Sequence, residues 1–268
     1  VRPVAFSPFE KSVDLPPYRA IMAVDAKGFT AEPGSAHEAI SGLIPRLVGN
    51  VFAEAELEGP WNQPDFFGPS GDGFAVGLPT EILPYLVDPV PRMLQARLAA
   101  HNRELRYGQA RLRLRMSLHV GPLPANPADP YRTGNGTARN DTHRLLDSRP
   151  VKAMLAAASP ETTFLACILS DRVFADVVAE GYAGRHPDHF LEVSATVEGK
   201  PFAQRAWLLV PEVSGGLLAA GLPQADPEPE RVSEPGTRSA FAPHVGRDNT
   251  GQIIGTVGGN ATFGGGGR

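Results

Sequence analysis

Cysteine is nearly missing from this 268-residue chain. Cys167 stands alone, which excludes an internal disulfide, and its place in the apolar run 164–169 marks it as a buried filler. Neither charge sign dominates: 25 Lys and Arg face 29 Asp and Glu, a formal net of −4, which argues against a generic nucleic-acid surface. No apolar run approaches the roughly 20 residues that a bilayer-spanning helix needs. No basic stretch followed by an apolar core opens the chain, so neither a secretory leader nor a membrane partner is expected. Gly71, Gly73 and Gly77 have the wrong spacing for a dinucleotide fingerprint, and no internal repeat is evident. What remains is ordinary: 42% apolar and 20% charged residues, enough for a sizeable core. A cytoplasmic enzyme or signalling domain fits these bounds.

Proline and glycine divide the chain. Residues 1–211 hold the periodic segments and are expected to form one domain. Residues 212–245, with Pro223, Pro227, Pro229, Pro235 and Pro243 among acidic and small residues, read as a flexible linker. Residues 246–268 form a Gly-rich, β-prone tail. Within the domain, 19–24 is a short apolar run for one buried strand. Ile40, Leu43, Ile44, Leu47, Val48, Val51 and Phe52 recur at helical spacing, with Pro45 predicting a kink or late start. Strand 74–78 and helix 92–105 follow. Over 111–120, Leu112, Leu114, Met116, Leu118 and Val120 alternate with Arg111, Arg113, Arg115, Ser117 and His119, the pattern of a half-buried strand. Helix 142–158, strand 163–169, helix 171–180 and strands 190–197 and 205–210 complete a mixed α/β sandwich.

Three polar segments fall at the ends of these elements: Asp25-Ala26-Lys27-Gly28-Phe29-Thr30, Gly71-Asp72-Gly73 and Asn140-Asp141-Thr142-His143-Arg144. Carboxylates at the ends of neighbouring strands can hold a pair of divalent cations, and hard oxygen donors suit Mg²⁺ or Mn²⁺. An Asn and an Arg four apart share one helix face and can reach one ligand. Acidic metal ligands with a planar guanidinium make a kit for phosphate chemistry. Taken singly, a strand-end Asp is usually a turn residue and a helical Arg is usually solvated.

In order, these segments and the strand Leu118-His119-Val120-Gly121-Pro122 resemble the class III nucleotidyl cyclases, the adenylyl and guanylyl cyclase catalytic domains, over residues 18–210. The resemblance implies a ferredoxin-like α+β sandwich with a mixed, mainly antiparallel sheet flanked by helices. It implies cyclisation of a nucleoside triphosphate with two Mg²⁺ or Mn²⁺ per site, in a homodimer whose sites are shared between subunits. Asp25 and Asp72 match its metal-binding aspartates, with the Ala26 carbonyl a further ligand. Asn140 matches the ribose-orienting residue, and Arg144 the residue that stabilises the transition state. Thr142 replaces a small alanine between them, and Gly136 matches a glycine ahead of the Asn. Gly28, Phe29 and Thr30 match the segment against the phosphates. Lys200, in Val197-Glu198-Gly199-Lys200, is the candidate triphosphate lysine, although Glu198 departs from the pattern.

The base-reading positions depart most. Gly68 stands where purine cyclases carry Lys or Glu, and Thr133 stands at the partner position. Two explanations compete. Either the pocket takes another base, as in bacterial antiviral cyclases that make cyclic UMP or cyclic CMP, or the domain is an inactive signalling module acting through its tail. Intact metal, ribose and transition-state residues favour turnover. The tail segment 249–263 is uncharged, free of proline and centred on Gln252-Ile253-Ile254-Gly255. It resembles short amyloid-type signalling motifs and implies a tail-mediated partner.

Overall fold

The computed structural model describes residues 12–29, 34–106, 109, 111–124 and 133–220. Its strands are β1 Tyr18–Ala26, β2 Phe66–Pro69, β3 Gly73–Leu78, β4 Leu114–Pro122, β5 Leu165–Ser170, β6 Leu191–Thr196 and β7 Ala203–Leu209. They form one seven-stranded sheet in the order β2-β3-β1-β4-β5-β7-β6. Neighbours pair antiparallel throughout except β4 with β5. Between these two parallel strands the chain returns through α5 Thr137–Asp147 and α6 Arg149–Ala157, the crossover that a parallel pair requires. The other helices are α1 Gly34–Glu54, α2 Glu58–Asn62, α3 Leu83–Val87, α4 Val90–Glu104, the single turn α7 Asp171–Val173 and α8 Gly215–Ala220. This is the mixed, mainly antiparallel α/β architecture expected from the sequence.

Alternation along β1 assigns the two faces. Ala20, Met22 and Val24 pack with Ile44, Val48, Leu94 and Leu98 of α1 and α4. Ile21 and Ala23 face the other way, onto Ala138 and Leu146 of α5. Further along the sheet, Ala166 and Ile168 pack with Leu145, Val151 and Leu155. Cys167 is fully buried, and burial drives its thiol pKa upward, as its apolar setting predicts.

Several elements differ from the sequence reading. The strand expected to be half-buried is covered on both faces. Ser117 is buried and donates to the Thr142 carbonyl at 2.8 Å. Arg113 is buried too, and its guanidinium bonds the carbonyls of Leu155, Ala158 and Thr163. These carbonyls close α6 and lead into β5, so a charged side chain serves there as a cap. The single helix expected over 142–158 is two. Pro150, in the first turn of α6, cannot donate a backbone hydrogen bond, and the Ser148 hydroxyl donates instead to the Leu145 carbonyl at 2.6 Å. Pro45 lies inside α1, which begins earlier than its apolar stripe. After α7 the chain widens into a π-type turn, Phe174–Ala179, with Phe174 stacked on Trp207 at 3.5 Å. β2 was not foreseen, being only four residues with a glycine and a proline. The packed body also continues past 211: Leu217 of α8 is buried, and the Ser214 hydroxyl accepts from the Ser159 amide. The chain divides into compact units Val1–Glu228 and Pro229–Arg268. The tail motif and most of the expected linker lie outside the described residues, as does Thr30. Among the described residues, no helix is long and apolar enough to cross a membrane.

Candidate active site

The strand register gathers one set of site residues at one end of the sheet. Asp25, near the end of β1, stands opposite Gly73 on one side and Arg115 on the other. A Cβ at Gly73 would collide with the Val24 carbonyl and lie 2.7 Å from the Asp25 Cα, so only glycine permits this approach. The approach brings Asp72 alongside, and its carbonyl accepts the Ala26 amide at 2.8 Å. Gly28 turns the chain away with φ +81°, a conformation that favours glycine. Phe29, after it, packs against the main core.

Asp25 is 6% exposed. Arg115 grips both of its oxygens, Nε at 2.8 Å and Nη2 at 2.6 Å. Burial pushes the Asp25 pKa up to about 6, with Arg115 opposing and the charges of Asp72 and Asp147 adding to the rise. Asp147, at the end of α5, is near enough for its charge to be felt at Asp25. Two carboxylates and the Ala26 carbonyl are hard oxygen donors that fit Mg²⁺ or Mn²⁺. Among the described residues, no group of three or more His, Cys, Asp or Glu side chains could hold an ion alone. A cation bound here would compete with Arg115 for Asp25.

The second set stands on α5 and the β6–β7 turn. Asn140 is exposed. Arg144 pairs with Asp141 at 2.9 Å, and its guanidinium lies 5.7 Å from the Phe202 ring centroid. Thr142, where the resemblance expects alanine, turns inward and donates to the Ala138 carbonyl at 2.8 Å, so its hydroxyl is satisfied without reaching the site. Lys200 is exposed in the turn that carries Phe202.

Ala138, at the start of α5, packs on Gly121, which pairs with Arg19 near the beginning of β1. Asp25 lies six residues further along the strand than Arg19, roughly 20 Å at the usual rise, and α5 runs back in that direction, its Thr142 carbonyl meeting Ser117 opposite Ala23. Lys200 follows β6, whose Thr196 pairs with Ala203 beyond the end of β5, away from Asp25. Among the described residues, no hydrogen bond or ion pair links Asp25 or Asp72 with Asn140, Arg144 or Lys200.

A third cluster lies beside Asn140. Phe66 of β2 is buried under Gly77 and Gly134, at both of which a Cβ would strike its ring. The Arg139 guanidinium stacks over that ring, 5.2 Å from the centroid. It also fills the space above Gly68, its Cζ 3.0 Å from where a Cβ there would stand. Thr133 is half-buried just before Gly134.

Sequence reasoning missed Arg115, Arg139, Phe66 and Asp147. For Arg115 a signal existed, since alternation put it on the same strand face as His119. For Arg139 there was none, because its place over Gly68 depends on β2.

No protein-family model matches the chain, and no curated protein is similar to it. Solved structures are. Two structures of bacterial light-regulated adenylyl cyclase align at 12% identity, with TM-scores of 0.51 and 0.50. Each alignment covers 78% of this chain. The chain spans 55% and 56% of those two proteins. The guanylyl cyclase Cya2 aligns at 17% identity over 74% of this chain and 91% of its own, with a TM-score of 0.49. The fold is that of the class III cyclase catalytic domain.

Proposed function

We propose that this chain is a metal-dependent nucleotidyl cyclase. It would convert a nucleoside triphosphate to a 3′,5′-cyclic nucleotide, with cyclic UMP and cyclic CMP among the candidate products, and pyrophosphate. One observation carries the reading: Asp25 and Asp72 are brought together at the β1–β3 approach, while Asn140 and Arg144 on α5 make no hydrogen bond or ion pair with them among the described residues. A head-to-tail homodimer would join them into two shared sites. The fold common to this chain and the bacterial adenylyl cyclases supports the same chemistry.

In such a site the ribose 3′-oxygen attacks the α-phosphorus in line. The new O3′–P bond forms as the α–β phosphoanhydride breaks, and the hydroxyl proton passes to solvent. Asp25, Asp72 and the Ala26 carbonyl would hold the divalent cations, which acidify the hydroxyl and neutralise the leaving phosphates when bound. Asn140 would hold the ribose in the attacking orientation. Arg144 would meet negative charge that grows only in the transition state, where binding energy raises kcat. Lys200, exposed on its turn, would reach the triphosphate. Gly28, Phe29 and Thr30 would frame the phosphates from the carboxylate side.

The β-prone tail would recruit a partner in bacterial antiviral signalling by stacking with a like segment. The test of the central reading is ATP, GTP, CTP and UTP with Mn²⁺, with pyrophosphate measured and products identified by mass. A cyclic nucleotide from at least one substrate is expected. Nucleotide binding with no product from any of the four would leave a non-catalytic signalling module.

A further inference from the structure

We propose that Arg139 is the base-reading residue of this pocket and that it selects a base presenting a carbonyl oxygen, discriminating against adenine. The inference rests on the nucleotidyl cyclase reading and deepens it. Three observations carry it. The guanidinium fills the space above Gly68, the position where a purine cyclase would place its own reading side chain. It is held there by its stack on the buried Phe66 ring, which fixes its plane. It belongs to the residue before Asn140, with half-buried Thr133 just ahead of the same helix. Among the described residues no carboxylate pairs with Arg139.

Arginine offers five donors in a fixed fork and no acceptor. It therefore seeks acceptors. Cytosine presents O2 beside N3, and guanine presents O6 beside N7, each a matched pair of acceptors for the fork. Uracil presents its carbonyl oxygens singly. Adenine flanks N1 and N7 with the donor amino group at position 6 and has no carbonyl, so the fork meets a donor where it needs an acceptor. The glycine at 68 and the arginine at 139 are then one device. Any larger side chain at 68 would strike the guanidinium.

The experiment measures kcat and KM for CTP, UTP, GTP and ATP with Mn²⁺ on the wild-type protein and on Arg139→Ala, Arg139→Lys and Arg139→Glu. Binding of the corresponding 3′-deoxy triphosphates, which cannot cyclise, is followed by calorimetry. Circular dichroism checks the fold of each variant. The wild-type protein should prefer a carbonyl-bearing base over ATP by at least about 30-fold in kcat/KM. Arg139→Ala should lower kcat/KM for that substrate by about 10- to 100-fold, mainly through KM, and weaken its 3′-deoxy analogue equally. ATP should change less than about threefold, so discrimination collapses. Arg139→Lys, which keeps charge without the fork, should fall between. Arg139→Glu, an acceptor, should shift preference towards ATP. A wild-type preference for ATP, or an unchanged base ranking in folded Arg139→Ala and Arg139→Glu, overturns the proposal. Absence of any product from the wild-type protein overturns the cyclase reading instead, and the 3′-deoxy binding series still decides the role of Arg139.

Discussion

At the carboxylate end of the sheet every group is held from several sides. Asp25 is 6% exposed and gripped twice by Arg115, Gly73 admits no Cβ, and the Ala26 amide is tied to the Asp72 carbonyl. At the α5 end the polar side chains stand open: Asn140 and Lys200 are exposed, and the Arg144 side chain is 42% exposed. The contrast has a physical logic. A cation site gains from fixed, pre-oriented oxygens, because reorganising buried charge is costly. Under the shared-site proposal, groups that would bind a nucleotide seated on another subunit stay accessible until that partner supplies it.

Losing either end should abolish product formation. Asp25→Ala, Asp72→Ala and Arg144→Ala are each expected to lower turnover on the order of 10³-fold or more, with the fold retained in circular dichroism. The comparison sharpens when the lesions are combined in different chains. Mixing Asp72→Ala with Arg144→Ala in equal amounts should recover about a quarter of wild-type specific activity, because half the dimers are mixed and each has one intact site. Mixtures that stay inactive while native mass spectrometry shows exchanged dimers would break the shared-site arrangement.

Glycines in the sheet and in a peripheral helix also differ in what they tolerate. Gly73→Ala should cost about 3 kcal/mol, since the new Cβ meets strand backbone that cannot withdraw. Gly59→Ala in α2, where a Cβ meets nothing within 4 Å, should be neutral or slightly stabilising. Urea unfolding of both variants decides this, and equal losses would mean that the β1–β3 approach is softer than its register implies.

The tail offers a smaller contrast. Removing residues 221–268 should leave turnover within about twofold, since every residue assigned to the proposed site precedes the cut, while abolishing any self-assembly that the tail mediates. Cutting at 211 should in addition lower the melting temperature, because Leu217 and Ser214 pack on the domain. Unchanged assembly without 221–268 would remove the tail from any association role.

Much of this candidate site was expected from the sequence because strand ends and helix spacing are local properties. Asp25, Asp72, Asn140 and Arg144 fall where the apolar periodicity stops or turns, and alternation alone predicts which side of β1 each neighbour occupies. Arg113 shows where local reading fails. An arginine alternating with leucines reads as a solvated face, yet the crossover returns over it and supplies three carbonyls. The break at Ser148 was legible from Pro150, but a strong apolar pattern continued through it. β2 was not legible, since a four-residue edge strand with a glycine and a proline has little intrinsic preference, and with it went the Phe66–Gly68–Arg139 cluster.

The smallest expected effect is on acid stability, where the two ends titrate with opposite sign. Burial raises Asp25 to about 6, so the metal-free folded chain binds a proton more tightly than the unfolded chain, and this group favours folding increasingly as pH falls from about 6 to about 4. His119 does the reverse. It lies on β4 towards the α5 end, and burial lowers its pKa, with Asp141 opposing and Arg172 adding to the fall. Its Nδ1 has no hydrogen-bond partner among the described residues. The unfolded chain therefore takes up a proton near pH 6.5 that the folded chain refuses, and the His119 contribution is lost as pH falls below that point. Burial also lowers His143, so the net slope between pH 7 and 5 is a sum over both ends. The His119→Gln variant isolates one contribution. Its unfolding free energy, measured in chelator from pH 7 to 5, should decline less steeply than that of the wild-type protein. A steeper decline, or parallel curves, would mean that His119 carries its charge in the folded state and that the α5 end is more solvated than its packing indicates.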